Sequence, residues 1–314
     1  MGLEVVKTIQ VLLACYNGER YLPQQLESLR RQDDEAFTVL MQDDGSADAT
    51  PALLQATVDG RFALGAEGGR HLGAIGNFVS LMKQCSGDYA ALCDQDDVWQ
   101  PAKLSTLRRA MEQAEERYGA DTPILVHSDA RLVDEAGHTL QESFFAHQGW
   151  DASAASLSRL LVQNNVTGCT LLMNAPLRRL VAHHADPAKL HMHDWFIALT
   201  AASFGQIVFV PKPLVDYRQH TVNVMGASRQ GLLQRGARAL TQWQKGKERI
   251  ALTYTHTRAF CEAYGNALPP AARQTAEAYL DTQPMPKLQR VLTVQKHGYT
   301  MQSAVTRLGQ ILLG

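Results

Sequence analysis

The chain has 314 residues, is 45% apolar and 19% charged, and carries a formal net charge of −1, which suits one large globular domain or a domain with an appendage. That near-neutral balance says nothing about partners; the lack of an aromatic–basic platform or a nucleic-acid motif argues against nucleic-acid binding, and no apolar run reaches the ~20 residues of a membrane-spanning helix. Five cysteines, at 15, 85, 93, 169 and 261, form no CxxC pair and no framework spacing, so a disulfide scaffold is excluded and a reducing compartment is expected.

The N-terminal MGLEVVKT lacks the basic and apolar regions of a signal peptide, so a cytoplasmic location is expected. Ile9 to Ala14 is a continuous apolar run and predicts a buried parallel strand. Glu19 to Gln32 carries Leu22, Leu26 and Leu29 at helical spacing, with Pro23 tolerable in a first turn. Phe37 to Gln42 predicts a second strand and Asp48 to Val58 a helix. Ile75 to Cys85 sets Phe78, Leu81, Met82 and Cys85 on one helical face. Tyr89 to Cys93 predicts a strand, and Lys103 to Tyr118 a charged helix. This alternation implies a parallel sheet covered by helices.

The next stretch is mixed. Ile124 to His127 and Ala130 to Val133 predict two strands, followed by a turn at Gly137. Ser156 to Gln163 predicts a helix, Cys169 to Met173 a strand, Asp194 to Ala202 a helix and Ile207 to Val210 a strand that stops before PKP. From about Leu232 the pattern is helical and basic. Residues 228–314 hold twelve Lys+Arg against four Asp+Glu, a net of +8 that leaves −9 for the rest.

Two of these strands end in acid. The second runs into MQDDGSADAT, with Asp43 and Asp44; the strand from Tyr89 runs into CDQDDVW, with Asp94, Asp96 and Asp97. In open α/β sheets ligands bind beyond the carboxyl ends of the strands. Clustered carboxylates repel one another unless a cation sits among them, and oxygen donors suit Mg²⁺ or Mn²⁺. No GxxxxGKS or GxGxxG cradle is present. The pattern therefore points to a nucleotide site built from carboxylates and a metal.

These residues resemble family 2 glycosyltransferases of the GT-A fold, and look most like the bacterial rhamnosyltransferase-like branch. The resemblance is carried by VLLACYNGERYLPQQLESL, QDDGSAD, GAIGNFVSLM, ALCDQDDVWQPAKL, NNVTGCTLLMN, HDWF and YRQHTVNVMGA, in order, over roughly residues 8–227. It implies an α/β GT-A fold, a Rossmann-like nucleotide-binding mixed sheet flanked by helices, with a helical C-terminal extension. Residues 1–227 would be the catalytic domain, with a nucleotide-sugar half at 1–120 and an acceptor half at 121–227. Residues 228–314 would be the basic helical extension.

The resemblance also implies roles. Asp94, Gln95 and Asp96 occupy the DxD position, where Asp96 would bind the divalent cation and Asp94 would face the ribose or reach the metal through water. Asp43 would contact the nucleobase, and Ala14, Tyr16 and Glu19 would line its pocket. Arg70 and Asn77 flank the segment that approaches the donor. Asp194 matches the catalytic base, and His220 a late metal ligand. Thr167, Gly168 and Trp195 fall on the acceptor side.

An inverting transfer needs one base to take the acceptor proton and a charge to neutralise the leaving diphosphate. Asp194 and Asp96, with a cation and His220, supply that minimum. Read without the other motifs, Asp194 is a helix cap, and a helix N-terminus would hold it ionised. His191 and His193 are expected to be solvated or to support the site from behind, and Trp99 to be a packing residue.

The implied activity is transfer of a sugar, rhamnose in many branch members, from a UDP- or dTDP-sugar to a hydroxyl of a growing, lipid-linked surface polysaccharide. Two rivals remain: a nucleotidyltransferase that makes the nucleotide sugar, and a silent nucleotide-sugar-binding scaffold. The first normally shows a Gly-rich N-terminal signature that LLACYNGERYLP lacks; the second would be expected to lose the DxD or the base. The basic tail has two readings, a peripheral contact at the cytoplasmic face of the inner membrane or a helical cap on the catalytic domain.

Overall fold

The computed structural model describes residues 6–152, 154–219 and 235–313, the last with side chains from 244. In chain order the elements are β1 (Ile9–Cys15), α1 (Leu22–Arg30), β2 (Phe37–Asp43), α2 (Thr50–Thr57), β3 (Phe62–Leu64), α3 (Gly73–Gln84), β4 (Tyr89–Asp94), β5 (Val98–Trp99), α4 (Lys103–Tyr118), β6 (Ile124–Val133) and β7 (Thr139–Gln141). They continue with α5 (Phe144–Gln148), α6 (Leu157–Leu160), β8 (Leu171–Asn174), α7 (Ala175–His184), α8 (His193–Phe204), β9 (Gln206–Arg218), α9 (Arg235–Tyr264), α10 (Pro270–Leu280), α11 (Lys287–Lys296) and α12 (Ala304–Leu313).

The chain forms two compact units. The first holds the residues up to Phe144 together with Val166–Arg218; the second holds Phe145–Asn165 and the chain from Gln219 onward. The boundary expected at 227/228 falls outside the described residues.

The first unit is one mixed sheet in the order β3-β2-β1-β4-β8-β6-β9-β5, with β7 on β6. β1, β2, β3 and β4 run parallel, and β8 enters antiparallel between β4 and β6. The expected α/β sheet is thus present, with β8, β7 and β5 antiparallel to the rest in its second half. Val11, Leu12, Leu13, Val39, Met41, Ala90, Ala91 and Leu92 are buried in its centre, as continuous apolar runs require.

Two expected strands are one. Ile124 to Val133 is continuous, with register shifts against β9 around Asp129. Asp129 holds that irregularity by accepting from Ala130 N, Phe144 N and Ser143 Oγ. β9 likewise runs through PKP instead of stopping at Val210. Pro211 and Pro213 are tolerated because the ladder is already interrupted between Val210 and Pro213. The strand expected from Cys169 begins at Leu171, after a 3-10 turn at Gly168–Thr170.

The second unit is helical, as the periodicity from Leu232 predicts. Tyr254 of α9 stacks on Tyr279 of α10 at 4.6 Å, and Phe260, Tyr264 and Tyr299 are buried in the same core. The segment 145–165 joins it through Gln302, whose N–H donates to Gln163 Oε1 and whose Oε1 accepts from Asp151 N.

Candidate active site

Register brings the two acidic strand ends together. Ala14 on β1 pairs with Gln42 on one side and Asp94 on the other, and Cys15 pairs with Asp43. Asp43 and Asp94 therefore flank the carboxyl end of β1.

Asp43 is held in a tight loop. Its Oδ2 accepts from Gly45 N and Ser46 N, each at 3.0 Å, and its Oδ1 accepts from Ser46 Oγ. Asp44 is buried and turns the other way, accepting from Leu72 N and Gly73 N at 2.6 and 2.9 Å. It thereby fixes the start of α3 against β2. Gly73 needs φ +71, which glycine alone adopts freely.

The loops after β1 and β2 interlock. Asn17 N donates to Ser46 Oγ and Asn17 Oδ1 accepts from Ala47 N; Glu19 N donates to Asp48 Oδ2 and Glu19 Oε2 accepts from Ala49 N. Tyr16 is exposed, with its ring 4.8 Å from that of His71. Ala14, Tyr16, Glu19 and Asp43 thus gather on one edge. Asn77 is buried beside this edge, with Nδ2 donating at 3.3 Å to the carbonyl of Gln42, the residue before Asp43 and the register partner of Ala14.

Gln95 has a role that the sequence did not disclose. Its Oε1 accepts from Tyr16 N at 2.7 Å and its Nε2 donates to the Tyr16 carbonyl at 2.8 Å. The bridge passes where a side chain at Gly18 would be, since a Cβ there would stand 2.2 Å from Gln95 Oε1.

Asp94 keeps part of its surface open, but its carboxyl loses hydration. It is pushed up to about 7, first by burial and then by the negative charges of Asp96 and Asp194, with Lys103 acting in the opposite sense. Asp194 therefore stands close enough to the strand end to be felt there. It sits in the first turn of α8 and is buried. Its Oδ1 accepts from Trp195 N at 2.6 Å and its Oδ2 from Gly168 N at 3.3 Å.

Burial pushes the Asp194 carboxyl up to about 7 despite those donors. The first-turn position predicts an ionised carboxylate; here loss of hydration outweighs the N–H donors. Trp195 is buried, and Thr167 uses its carbonyl to accept from Thr170 N and Oγ1. His193, expected to be solvated or supporting, lies with its ring 4.4 Å from Phe78 and its Nε2 buried, and burial lowers its pKa to about 4. The bare Gly168 leaves room for it, because a Cβ there would be 2.9 Å from His193 Nε2.

Behind this edge lies a cluster of buried ionisable side chains. Asp97 is buried, accepts from Arg218 N at 3.1 Å, and is pushed well up by burial and by Asp96 and Asp94. Lys103, completely buried, donates from Nζ to the Cys169 carbonyl at 2.6 Å and lies over the buried Trp99 ring. Arg218 donates from Nε to the Asp96 carbonyl at 2.8 Å, and its other nitrogens reach the Glu135 carbonyl and Gln24 Oε1 at 2.7 Å each. It pins the end of β9 to the DQDD loop. His220, two residues on, lies outside the described residues.

Asp94, Asp97 and Cys169 have ligand atoms within 4.8 Å of one another. Burial pushes the Cys169 thiol well up, and a soft sulfur is a poor partner for a hard cation. The oxygen donors of Asp94 and Asp96 fit a hard cation, and such a charge would relieve the repulsion that raises Asp94.

A mixed sheet flanked by helices, with carboxylates at the carboxyl ends of its parallel strands, defines a protein of the GT-A fold class. The sequence profile of Glycosyl transferase family 2 matches residues 10–176, more than half of the chain, and the chain belongs to that family. It is 25% identical to dTDP-rhamnosyl transferase RfbG of Shigella flexneri over 230 residues, 69% of this chain and 74% of that one. It spans less than two thirds of the length of several other curated relatives that it matches. Among solved structures, S. aureus TarS in complex with UDP-GlcNAc matches with a TM-score of 0.54 at 14% identity, covering 98% of this chain and 89% of that one. Mannosyltransferase PcManGT from Pyrobaculum calidifontis, in complex with GDP-Man and Mn²⁺, matches with a TM-score of 0.51 at 16% identity, covering 94% and 76%. At those identities the likeness is one of fold.

Proposed function

We propose that the chain is a metal-dependent inverting glycosyltransferase. It moves a sugar from a UDP- or dTDP-sugar to a hydroxyl of a growing, lipid-linked bacterial surface polysaccharide, O-antigen or capsule. The observation that carries this reading is a grouping of carboxylates at one sheet edge: Asp94 ends β4, Asp194 accepts from Gly168 N, and the next residue, Cys169, has its sulfur within 4.8 Å of carboxylate oxygens of Asp94 and Asp97. Rhamnose as the sugar is supported by the name of RfbG, and a divalent cation by the Mn²⁺ complex of PcManGT.

In this reading Asp43, Ala14, Tyr16 and Glu19 hold the nucleoside, and Asp94 faces the ribose. Asn77 supports this donor side through the Gln42 carbonyl. Asp96 and His220 would hold Mg²⁺ or Mn²⁺. The bound cation supplies charge to neutralise the departing diphosphate. Asp194 takes the acceptor proton as the acceptor oxygen attacks the anomeric carbon; its raised pKa makes it a stronger base than an ordinary carboxylate. The Gly168 and Trp195 N–H groups aim its two oxygens, and Thr167, Gly168 and Trp195 border the acceptor. The work takes place in the cytoplasm, with peripheral contact at the inner membrane through the basic C-terminal region.

The test is transfer from a panel of UDP-, dTDP- and GDP-sugars to lipid-linked saccharide acceptors, with Mn²⁺, Mg²⁺ or EDTA, followed by mass spectrometry. One donor consumed only with metal, and its sugar found on the acceptor with inverted configuration, supports the reading. Retained configuration, or undiminished transfer in EDTA, overturns it.

A further inference from the structure

Two helices of the second unit carry apolar strips on the outside. On α11, Leu288 and Leu292 are 74% and 61% exposed; on α12, Val305, Leu308 and Leu312 are 82%, 57% and 48% exposed. The spacings, i and i+4 on one helix and i, i+3 and i+7 on the other, make each set a single stripe. The opposite faces are already committed. Val294 and Gln310 are buried, and Val291, Val294 and Ile311 line a small internal space with Tyr254 and Tyr279. Lys287 Nζ donates to the Leu312 carbonyl at 2.5 Å, so the first turn of α11 and the last turn of α12 are neighbours.

The charges of this region have one sign. From Thr282 to the last residue there is no Asp or Glu, while Lys287, Arg290, Lys296 and Arg307 are present. Lys287, Lys296 and Arg307 are exposed. A grouped apolar surface of this kind marks an interaction site, and its charge selects the partner. A second copy would set the exposed cations of one chain, Lys287, Lys296 and Arg307, against the same three of the other. An anionic bilayer satisfies both features, since the aliphatic side chains enter the headgroup–acyl boundary and the cations meet anionic headgroups. Among the described residues no helix is long and apolar enough to cross a membrane, so the contact lies in the plane of the surface.

We propose that the α11–α12 face docks on an anionic lipid surface through Leu288, Leu292, Val305, Leu308 and Leu312. This gives the membrane contact of the proposed function a defined face, and it stands independently of the transfer chemistry.

The experiment is flotation of the full chain with vesicles of phosphatidylcholine alone and of phosphatidylcholine with phosphatidylglycerol. Wild type should float with the anionic vesicles, weakly with the neutral ones, and less as salt rises. Leu292→Glu/Leu308→Glu should lower the partition coefficient at least about tenfold, with an unchanged circular dichroism spectrum and unchanged nucleotide-sugar binding. Lys287→Gln/Lys296→Gln should weaken binding to anionic vesicles alone, roughly tenfold. No flotation with anionic vesicles, or flotation indifferent to both double variants, overturns the proposal. So does a dimer of the wild type that Leu292→Glu/Leu308→Glu splits, which would assign the face to a second copy. A loss of nucleotide-sugar binding with vesicle binding intact would count against the proposed function and leave the docking face standing.

Discussion

Gln95 clasps the main chain of Tyr16: one amide group both accepts from its N–H at 2.7 Å and donates to its carbonyl at 2.8 Å. The residue between the two acids of the DQD triplet therefore sets the loop that lines the proposed base pocket. Gly18→Ala puts a Cβ into the path of Gln95 Oε1. The amide end of Gln95 is free to swing aside, so the fold survives, but both bonds to Tyr16 break. At about 1 kcal/mol for each of the two hydrogen bonds, nucleotide-sugar affinity should fall by up to roughly thirtyfold, with a melting temperature only a few degrees below wild type. Gln95→Ala should match it, as titration calorimetry can check. Wild-type affinity in both variants would show that the clasp is irrelevant to the donor.

Asp194 gives a prediction with a sign. Its pKa rises from 3.8 to about 7 on folding because burial disfavours the charged form. Both states are protonated below pH 3.8. As pH rises from 3.8 to about 7 the unfolded chain releases this proton and the folded chain keeps it, so stability is progressively lost. Asp194→Asn keeps an acceptor for only one of the Trp195 and Gly168 N–H groups, a cost that does not vary with pH, and removes the ionisation. The stability of the metal-free variant relative to wild type should therefore shift in the variant's favour between pH 4 and pH 8, by an amount on the order of 4 kcal/mol at most. Urea unfolding across pH reads this directly. A stability difference that does not change between pH 4 and pH 8 would contradict the burial argument.

Arg218 ties β9 to the acidic loop through the Asp96 and Glu135 carbonyls and Gln24. Arg218→Met strips buried acceptors of their donor and should cost on the order of 3 kcal/mol in urea unfolding. Arg218→Lys should restore little of it, because an ammonium cannot span three separated acceptors as the guanidinium fork does. Metal-dependent nucleotide binding should weaken as well, since Asp96 loses its backbone anchor. Full stability in Arg218→Lys would mean that charge alone suffices.

The acidic edge of the candidate site was legible in the sequence. Asp43, Asp94 and Asp96 follow apolar strands, and parallel pairing must bring such ends to one edge. Asp194 was legible only through the resemblance, because an Asp in a first helical turn is ordinary. The support was hidden. The clasp of Gln95 on Tyr16 spans 79 residues and leaves no local pattern. Lys103 opens a charged helix and reads as solvated, yet its side chain is completely buried on the Cys169 carbonyl. The strands β3, β5 and β7 have two or three residues each, too few for periodicity. Segment 145–165 joins the helical unit through Gln163, Asp151 and Gln302, a long-range pairing that composition does not show.

The most direct measurement is binding and turnover of a nucleotide sugar by wild type, Asp96→Ala and Asp194→Asn, each with Mn²⁺ and with EDTA. The carboxylate-and-metal account predicts metal-dependent binding in wild type and its loss in Asp96→Ala. It predicts intact binding in Asp194→Asn with turnover reduced by about 10²- to 10⁴-fold. Binding that is indifferent to both metal and Asp96, or full turnover in Asp194→Asn, would contradict it.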